Sequence, residues 1–143
     1  MKNIQKVLAN IIQESSKIFW ILFKVILPVV IVIRALELLG AIPYLAKFLE
    51  PLTSFIGIDG SLGLVWMAAI LVNIYAGMAA FASLQAIFDY TVAETTILGL
   101  IILIAHSLPI EVAIARQSRV SAIFNLLFRF INAVIAGKIL NYI

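Results

Sequence analysis

The sequence predicts an all-α integral membrane protein, and composition and segment length both support this fold class. Hydrophobic residues make up 64% of the 143 residues and charged residues only 12%, whereas charged residues are about a quarter of an ordinary soluble domain. Several apolar runs are as long as the roughly 20 helical residues that cross a bilayer core of about 30 Å. We therefore expect one multi-pass membrane domain over 18–143, with lipid as its surroundings, preceded by a short helix over 1–17.

Composition also excludes several kinds of function. The net charge of +3 is spread along the chain, so we expect no nucleic-acid partner. The chain has no cysteine and a single histidine, which leaves too few ligands for a typical zinc site. His106 has no nearby acid–base pair that could orient it for nucleophilic catalysis. We therefore expect no enzyme activity, no catalytic residue, no metal and no cofactor.

The first two segments are predicted to be a surface helix over 1–17 and a span over 18–39. Apolar residues recur at helical spacing in the first segment, with lysines between them, which is typical of an interfacial amphipathic helix. Lys24 can extend its ammonium group to the membrane surface. Arg34 and Glu37 are three residues apart on one helix face, so we expect a structural ion pair between them.

The next two segments differ in polarity. Residues 41–57 hold two prolines and charges of both signs, which favours a helix lying in the interface. Residues 62–84 hold no charge, and a straight span with Asn73 as an interhelical hydrogen bonder is the first interpretation. Asn73, Tyr75 and Gly77 near its centre also fit the tip of a re-entrant hairpin.

Two helix ends are predicted from local signals. Gly57 suits the end of the helix over 41–57. Thr91 and Glu94 fit a capping box that starts the helix over 92–118.

A broken span is predicted over 92–118. Pro109 lacks an amide hydrogen and should stop or kink the helix, and such a break in lipid must be sheltered by protein or line a wet cavity. If Pro109 opens the second half-helix, Glu111 lies in its first turn, where exposed amides favour an anion. The alternative is a kinked helix that satisfies Glu111 locally. His106 is either structural or ligand-lining, and Ser107 is equally suited to cap a helix.

The final span is predicted over 120–142, with one polar face. Asn125, Arg129 and Asn132 follow each other at helical spacing, so this face must look into protein or water. Arg129 lies well inside the span and needs an acidic partner, for which Glu111 is the best candidate.

Charge counting separates the two interpretations of residues 62–84. A straight span divides the counted basic residues three against three between the two sides of the membrane. A hairpin divides them five against one, and the positive-inside rule therefore favours the hairpin. The five are Lys2, Lys6, Lys17, Arg116 and Arg119, and the one is Lys47.

Four stretches carry a resemblance to a known family: 27–30 (LPVV), 34–37 (RALE), 72–77 (VNIYAG) and, most specifically, 105–111 (AHSLPIE). They resemble the nucleoside recognition or "Gate" family, which includes the spore maturation A and B proteins and other small bacterial inner-membrane proteins. The resemblance covers roughly 18–142. It implies a multi-pass protein of the bacterial cytoplasmic (inner) membrane.

The resemblance further implies kinship with one repeat of the concentrative nucleoside transporters, in which a span, a hairpin, a broken span and a span are repeated in inverted orientation. Hairpin tips and helix breaks hold the nucleoside in those transporters. By position, this implies a substrate-binding role for Asn73, Tyr75, His106, Ser107 and Glu111. The glutamate-bearing hairpin-tip motif of the full transporters is absent from this sequence.

These observations lead to two functional hypotheses. The first is a membrane transport or solute-binding subunit for a small polar solute such as a nucleoside, acting as one repeat of a dimeric transporter. Its partner would be a second copy or an oppositely oriented paralogue, and the five-to-one charge bias favours the paralogue. The alternative is a non-transporting scaffold or assembly subunit of a heteromeric membrane complex.

Overall fold

The computed structural model describes residues 2–118 and 121–143, and these residues form seven α-helices. Met1, Arg119 and Val120 lie outside the described residues, so the first residue of the predicted final span and one arginine of the charge count are not tested. The helices are α1 (Lys2–Leu38), α2 (Ile42–Ile56), α3 (Gly60–Leu71), α4 (Ile74–Gln85), α5 (Val92–Ile104), α6 (Leu108–Gln117) and α7 (Ala122–Leu140).

Helix α1 corrects one prediction, because the surface helix over 1–17 and the span over 18–39 form one continuous helix of 37 residues. The segment around residue 17 holds no proline or glycine that would separate them. Pro28 lies inside the helix without ending it. The C-terminal half packs on the body of the protein, where Ile33 is buried and Val29 is partly buried.

Helix α2 lies across the start of α3, with a bend of 92° between the two helices. Gly57 ends α2 in the left-handed conformation at φ 96°, which glycine adopts readily because it has no Cβ. A Cβ on Gly63 would lie 2.8 Å from the side chain of Thr53, so α2 and α3 touch closely. The sharp bend between α2 and α3 is compatible with an interfacial α2, whose position at the membrane surface stays a prediction.

Helices α3 and α4 form a re-entrant hairpin, and the straight span first considered for 62–84 is wrong. Only Val72 and Asn73 separate the two helices. A Cβ on Gly77 would lie 2.8 Å from the Cβ of Ala69, whereas eight residues of straight helix would separate these positions by about 12 Å. Each limb has 12 residues, or about 18 Å, which is roughly half of the bilayer core.

Both ends of the hairpin lie on the same side of the molecule, which we call the hairpin side. The backbone amide of Asp59, just before α3, donates to Oε1 of Glu94 in α5 at 3.2 Å. The hydroxyl groups of Ser61 and Tyr90 are 2.7 Å apart. Thr91 and Glu94 form the predicted capping box at the start of α5. The chain thus enters and leaves the hairpin without crossing the membrane.

Helix α7 also ends on the hairpin side, because Lys138 lies 4.8 Å from the centre of the Phe55 ring of α2. The connection between α6 and α7 is therefore on the opposite side, which we call the far side. Pro28 of α1 lines a cleft with Val72 at the hairpin tip, and Glu37, further along α1, lines another cleft at the end of α4. Helix α1 therefore runs towards the hairpin side and starts on the far side.

Within the described residues, three passages are long and apolar enough to cross the bilayer: Asn10–Leu38, Val92–Arg116 and Ala122–Leu140. Together with the hairpin, they give an all-α integral membrane protein. Lys138, which the charge count had left out, joins Lys47 on the hairpin side. The far side still holds the larger share of the basic residues.

Candidate functional site

The break between α5 and α6 is the centre of the candidate site. Helix α5 ends at Ile104 and α6 begins at Leu108, with Pro109 in its first turn. Ser107 between them adopts the left-handed conformation at φ 51° and ψ 34°, which is uncommon for a residue with a Cβ. This break leaves backbone groups of the interrupted helix without partners from their own helix, at a depth where water is scarce.

Helix α3 satisfies part of this break. The amide of Ser107 donates to the carbonyl of Ala69 at 2.8 Å. The indole nitrogen of Trp66 donates to the carbonyl of Ala105 at 3.2 Å. The Trp66 ring is buried and lies parallel to the Phe130 ring of α7, with 5.2 Å between ring centres. The inner end of the hairpin and the break of the span therefore meet at one depth.

Arg129 of α7 bridges the two halves of the broken span. Its Nε donates to the carbonyl of Ile104, the last residue of α5, at 2.8 Å. Its guanidinium group forms an ion pair with the carboxylate of Glu111 in the first turn of α6. The side chains of Arg129 and Glu111 are 28% and 20% exposed. One side chain thus satisfies a backbone carbonyl at the break and neutralises a carboxylate within the span.

A shallow pocket of about 310 Å³ lies beside this ion pair between α6 and α7, and we call it the α6–α7 pocket. Ser118 contributes a hydroxyl group near the far side, and Asn125 contributes an amide one turn before Arg129. Ile114 and Ala115 contribute the apolar part of the pocket lining. The lining residues are Glu111, Ile114, Ala115, Ser118, Asn125 and Arg129.

The other residues predicted to bind a solute lie around the break or at the hairpin tip. His106 Nδ1 lies 2.9 Å from the carbonyl of Ile102, which can only accept, so Nδ1 carries a hydrogen in this arrangement. Ser107 is at the N-cap position of α6, but its hydroxyl makes no cap hydrogen bond. Asn73 Oδ1 accepts from the amide of the residue three positions on and caps α4. Tyr75 is 48% exposed.

The structure therefore brings only part of the predicted set together. Among the described residues, no hydrogen bond joins Asn73 or Tyr75 to the break. Asn73 caps its own helix, so its predicted bond to another helix is absent from the described contacts. Asn132 is exposed and donates to the carbonyl of Phe128 in its own helix at 2.6 Å, so the predicted polar face of α7 looks into the protein at Asn125 and Arg129 only.

Two further features lie apart from the break. Arg34 and Glu37 pair at 2.5 Å near the end of α1. An apolar groove of about 400 Å³ runs between the hairpin and α5. Its lining offers no ionisable group, so the α6–α7 pocket, although smaller, is the better candidate for recognising a polar solute.

A cluster of polar residues on the hairpin side joins the hairpin to the start of α5. Oδ1 of Asp59 accepts from the amide and the hydroxyl group of Ser61, and Ser61 contacts Tyr90. Partial burial raises the pKa of the Tyr90 phenol, and the nearby Asp59 and Glu94 carboxylates raise it further, while the hydrogen bond with Ser61 opposes them. These contacts join the start of α3 to the start of α5.

Residues that sequence reasoning had not singled out take part in the site. Trp66 and Ala69 hold the break, and Ser118 lines the pocket. An isolated tryptophan in an uncharged segment gave no signal for its bond to Ala105, because that contact joins positions 39 residues apart.

Comparison with known proteins finds one relevant similarity. The chain is 27% identical, over 124 residues, to the uncharacterized membrane protein YvoD of Bacillus subtilis (strain 168). The match covers 87% of this chain and 38% of the relative, so the chain spans well under half of that protein's length. No family model and no solved structure matches the chain.

Proposed function

We propose that this chain is a membrane transport or solute-binding subunit for a small polar solute, and that it acts as one half of a dimeric transporter. The observation that carries the proposal is the Glu111–Arg129 ion pair at the broken span. Charged side chains within a span are unfavourable in lipid and commonly mark a solute or ion pathway. Here they lie beside a pocket rather than in sealed packing.

The arrangement of helices supports the same proposal. Secondary transporters build their substrate sites near the middle of the membrane from discontinuous helices, usually where two inverted repeats meet. This chain has a re-entrant hairpin and a broken span in contact through Ser107 and Ala69. It provides one such unit, so a second unit would complete the site.

The second unit would be another copy or an oppositely oriented paralogue. The α6–α7 pocket is shallow and open on one side, as expected of a site that another subunit covers. The similar Bacillus subtilis protein has more than half of its length outside the match, which is room for a second unit of this size. The uneven distribution of basic residues favours a paralogue, because equal insertion in both orientations needs a balanced charge.

A nucleoside is the solute that the resemblance of 72–77 and 105–111 to the nucleoside recognition family suggests. The same resemblance suggests a bacterial cytoplasmic membrane. The positive-inside rule then places the far side, with most of the lysines and arginines, in the cytoplasm. Glu111 would couple solute movement to a proton or cation.

Uptake by reconstituted protein tests the proposal. Proteoliposomes holding the chain together with its partner should accumulate radiolabelled uridine above protein-free liposomes, and Glu111→Gln should reduce this uptake. Arg116→Gln, which neutralises an exposed residue of the same helix, is the matched control and should leave uptake unchanged. Normal uptake by Glu111→Gln would remove Glu111 from the mechanism, and an absence of uptake by all proteins would refute transport.

A scaffold function is the alternative, and one observation favours it: Arg129 bonds to the Ile104 carbonyl and pairs with Glu111 inside the chain, so both side chains can serve helix packing without a solute. Polar contacts between helices in membranes contribute roughly 0.6 to 2 kcal/mol each, which is enough to support assembly. A scaffold predicts that Glu111→Gln lowers the mass of the purified assembly. A transporter predicts an unchanged mass with altered solute binding, so light scattering on the variant separates the two functions.

A further inference from the structure

We propose that the α6–α7 pocket is a solute-binding subsite that accepts a solute of zero net charge and uses Ser118 and Asn125 as hydrogen-bonding contacts. This inference rests on the proposed function and deepens it by naming the charge class of the solute. It also places the solute against α6 and α7, apart from Asn73 and Tyr75 at the hairpin tip.

The ionisable groups that line the pocket have no net charge. Glu111 and Arg129 are the only ionisable residues in its described lining, and their formal charges cancel. Arg116 of the same helix is exposed and does not line the pocket. A charged solute in this pocket would carry a charge that no pocket residue balances. Placing such a charge among protein and lipid groups is strongly unfavourable. A neutral solute brings no such charge into the pocket.

The polar groups that line the pocket include both hydrogen-bond donors and acceptors. The Glu111 carboxylate accepts hydrogen bonds and the Arg129 guanidinium donates them, while the Asn125 amide and the Ser118 hydroxyl can do both. Ile114 and Ala115 supply an apolar surface between them. Small-molecule sites typically combine an apolar lining with a few polar groups in roughly 300 to 1,000 Å³. The volume of about 310 Å³ suits a small solute with both donors and acceptors.

The pocket lies between the far side and the break of the span. Ser118 follows α6 on the far side, whereas Arg129 lies about two turns along α7 and reaches Ile104 at the break. The polar wall therefore runs from the far surface to the depth at which the hairpin and the broken span meet. A solute entering from the far side would contact Ser118 and Asn125 before it reaches the ion pair.

Equilibrium dialysis on the full chain with its partner, in phosphatidylcholine nanodiscs, tests this inference. The probes are uridine and uridine 5′-monophosphate, which differ only by the charged phosphate group. The wild-type protein should bind uridine at least about tenfold more tightly than the monophosphate, because like or uncompensated charges at an interface cost several kcal/mol. Glu111→Gln leaves Arg129 unbalanced and should shift the affinity ratio by about tenfold or more toward the monophosphate.

Two variants control the experiment. Glu50→Gln removes the same unit of charge as Glu111→Gln, but from an exposed residue of α2 outside the pocket, and should leave both affinities unchanged. Asn125→Ala removes an uncharged contact and should weaken both probes several-fold by the same factor. Asn125→Ala tests the solute-binding subsite even if Glu111→Gln fails to fold.

The outcomes separate the inference from the proposed function. An unchanged ratio in Glu111→Gln, or unchanged uridine binding in Asn125→Ala, overturns the subsite while uridine binding by the wild type still supports a solute-binding subunit. Wild-type protein that binds both probes equally overturns only the charge selection. Wild-type protein that binds neither probe overturns both proposals.

Discussion

Trp66→Phe is the substitution that tests most directly whether α3 holds the broken span. The indole nitrogen donates to the carbonyl of Ala105, and the ring stacks on Phe130 with an interplanar angle of 6°. Phenylalanine keeps an aromatic ring in contact with Phe130 but has no donor. The carbonyl of Ala105, the C-cap residue that follows α5, then loses this partner in a buried setting.

The expected loss of stability is the sum of two contributions. Leaving a buried acceptor without its partner costs about 1 to 3 kcal/mol. The smaller ring leaves a partial void at a residue that is 2% exposed, which adds about 1 kcal/mol. The total of about 2 to 4 kcal/mol corresponds to a decrease in Tm of roughly 4 to 16 °C for a protein of this size.

Thermal unfolding in detergent micelles, followed by circular dichroism, measures this loss. Trp20→Phe is the matched control, because Trp20 is 56% exposed and its substitution should change Tm by less than about 2 °C. If the two variants unfold at the same temperature, Trp66 does not hold the break and the account of the site is wrong.

The remaining predictions concern the hairpin and its fastening. Gly77→Ala should force the hairpin limbs apart and destabilise the protein by about 1 to 3 kcal/mol in the same assay, whereas Gly99→Ala, where a Cβ would meet nothing within 4 Å, should be neutral or slightly stabilising. Because burial raises the pKa of the Tyr90 phenol, the unfolded chain loses this proton at a lower pH than the folded protein, so stability should fall as pH rises above about 10. In Tyr90→Phe, thermal unfolding followed by circular dichroism above about pH 10 should no longer show this part of the pH dependence. Single cysteines at Asp59 and Asp89 should react with an impermeant maleimide from the same side of intact vesicles, and labelling from opposite sides would restore a straight crossing.

Local signals in the sequence predicted the ends of several helices. Thr91 and Glu94 were recognised as a capping box from their spacing, and Gly57 as a helix end from its freedom to adopt a positive φ. The ion pair of Arg34 and Glu37 followed from their positions on one helix face. Such features depend on neighbours three or four residues away, so a single sequence contains the information.

Features that depend on distant contacts were harder to predict. Composition could not separate the hairpin from a straight span, because an uncharged segment is equally apolar in either form. The straight span was therefore the first interpretation. Only the distribution of basic residues favoured the hairpin. The partner of Arg129 was predicted, since Glu111 was the best-placed acid, but its second bond to the Ile104 carbonyl was not. That bond depends on how α7 crosses the break.

The hairpin has a consequence for how such a chain could evolve. Because it enters and leaves on one side, the passages that cross are α1, the α5–α6 pair and α7, which is an odd number. The end of α7 therefore emerges opposite the start of α1. If the gene were duplicated and the two copies joined head to tail, the second copy would start on the opposite side of the membrane and would have to insert upside down. Because the basic residues of this chain are unevenly distributed between the two sides, an antiparallel pair of units in one polypeptide would require a fusion and a redistribution of basic residues in one copy.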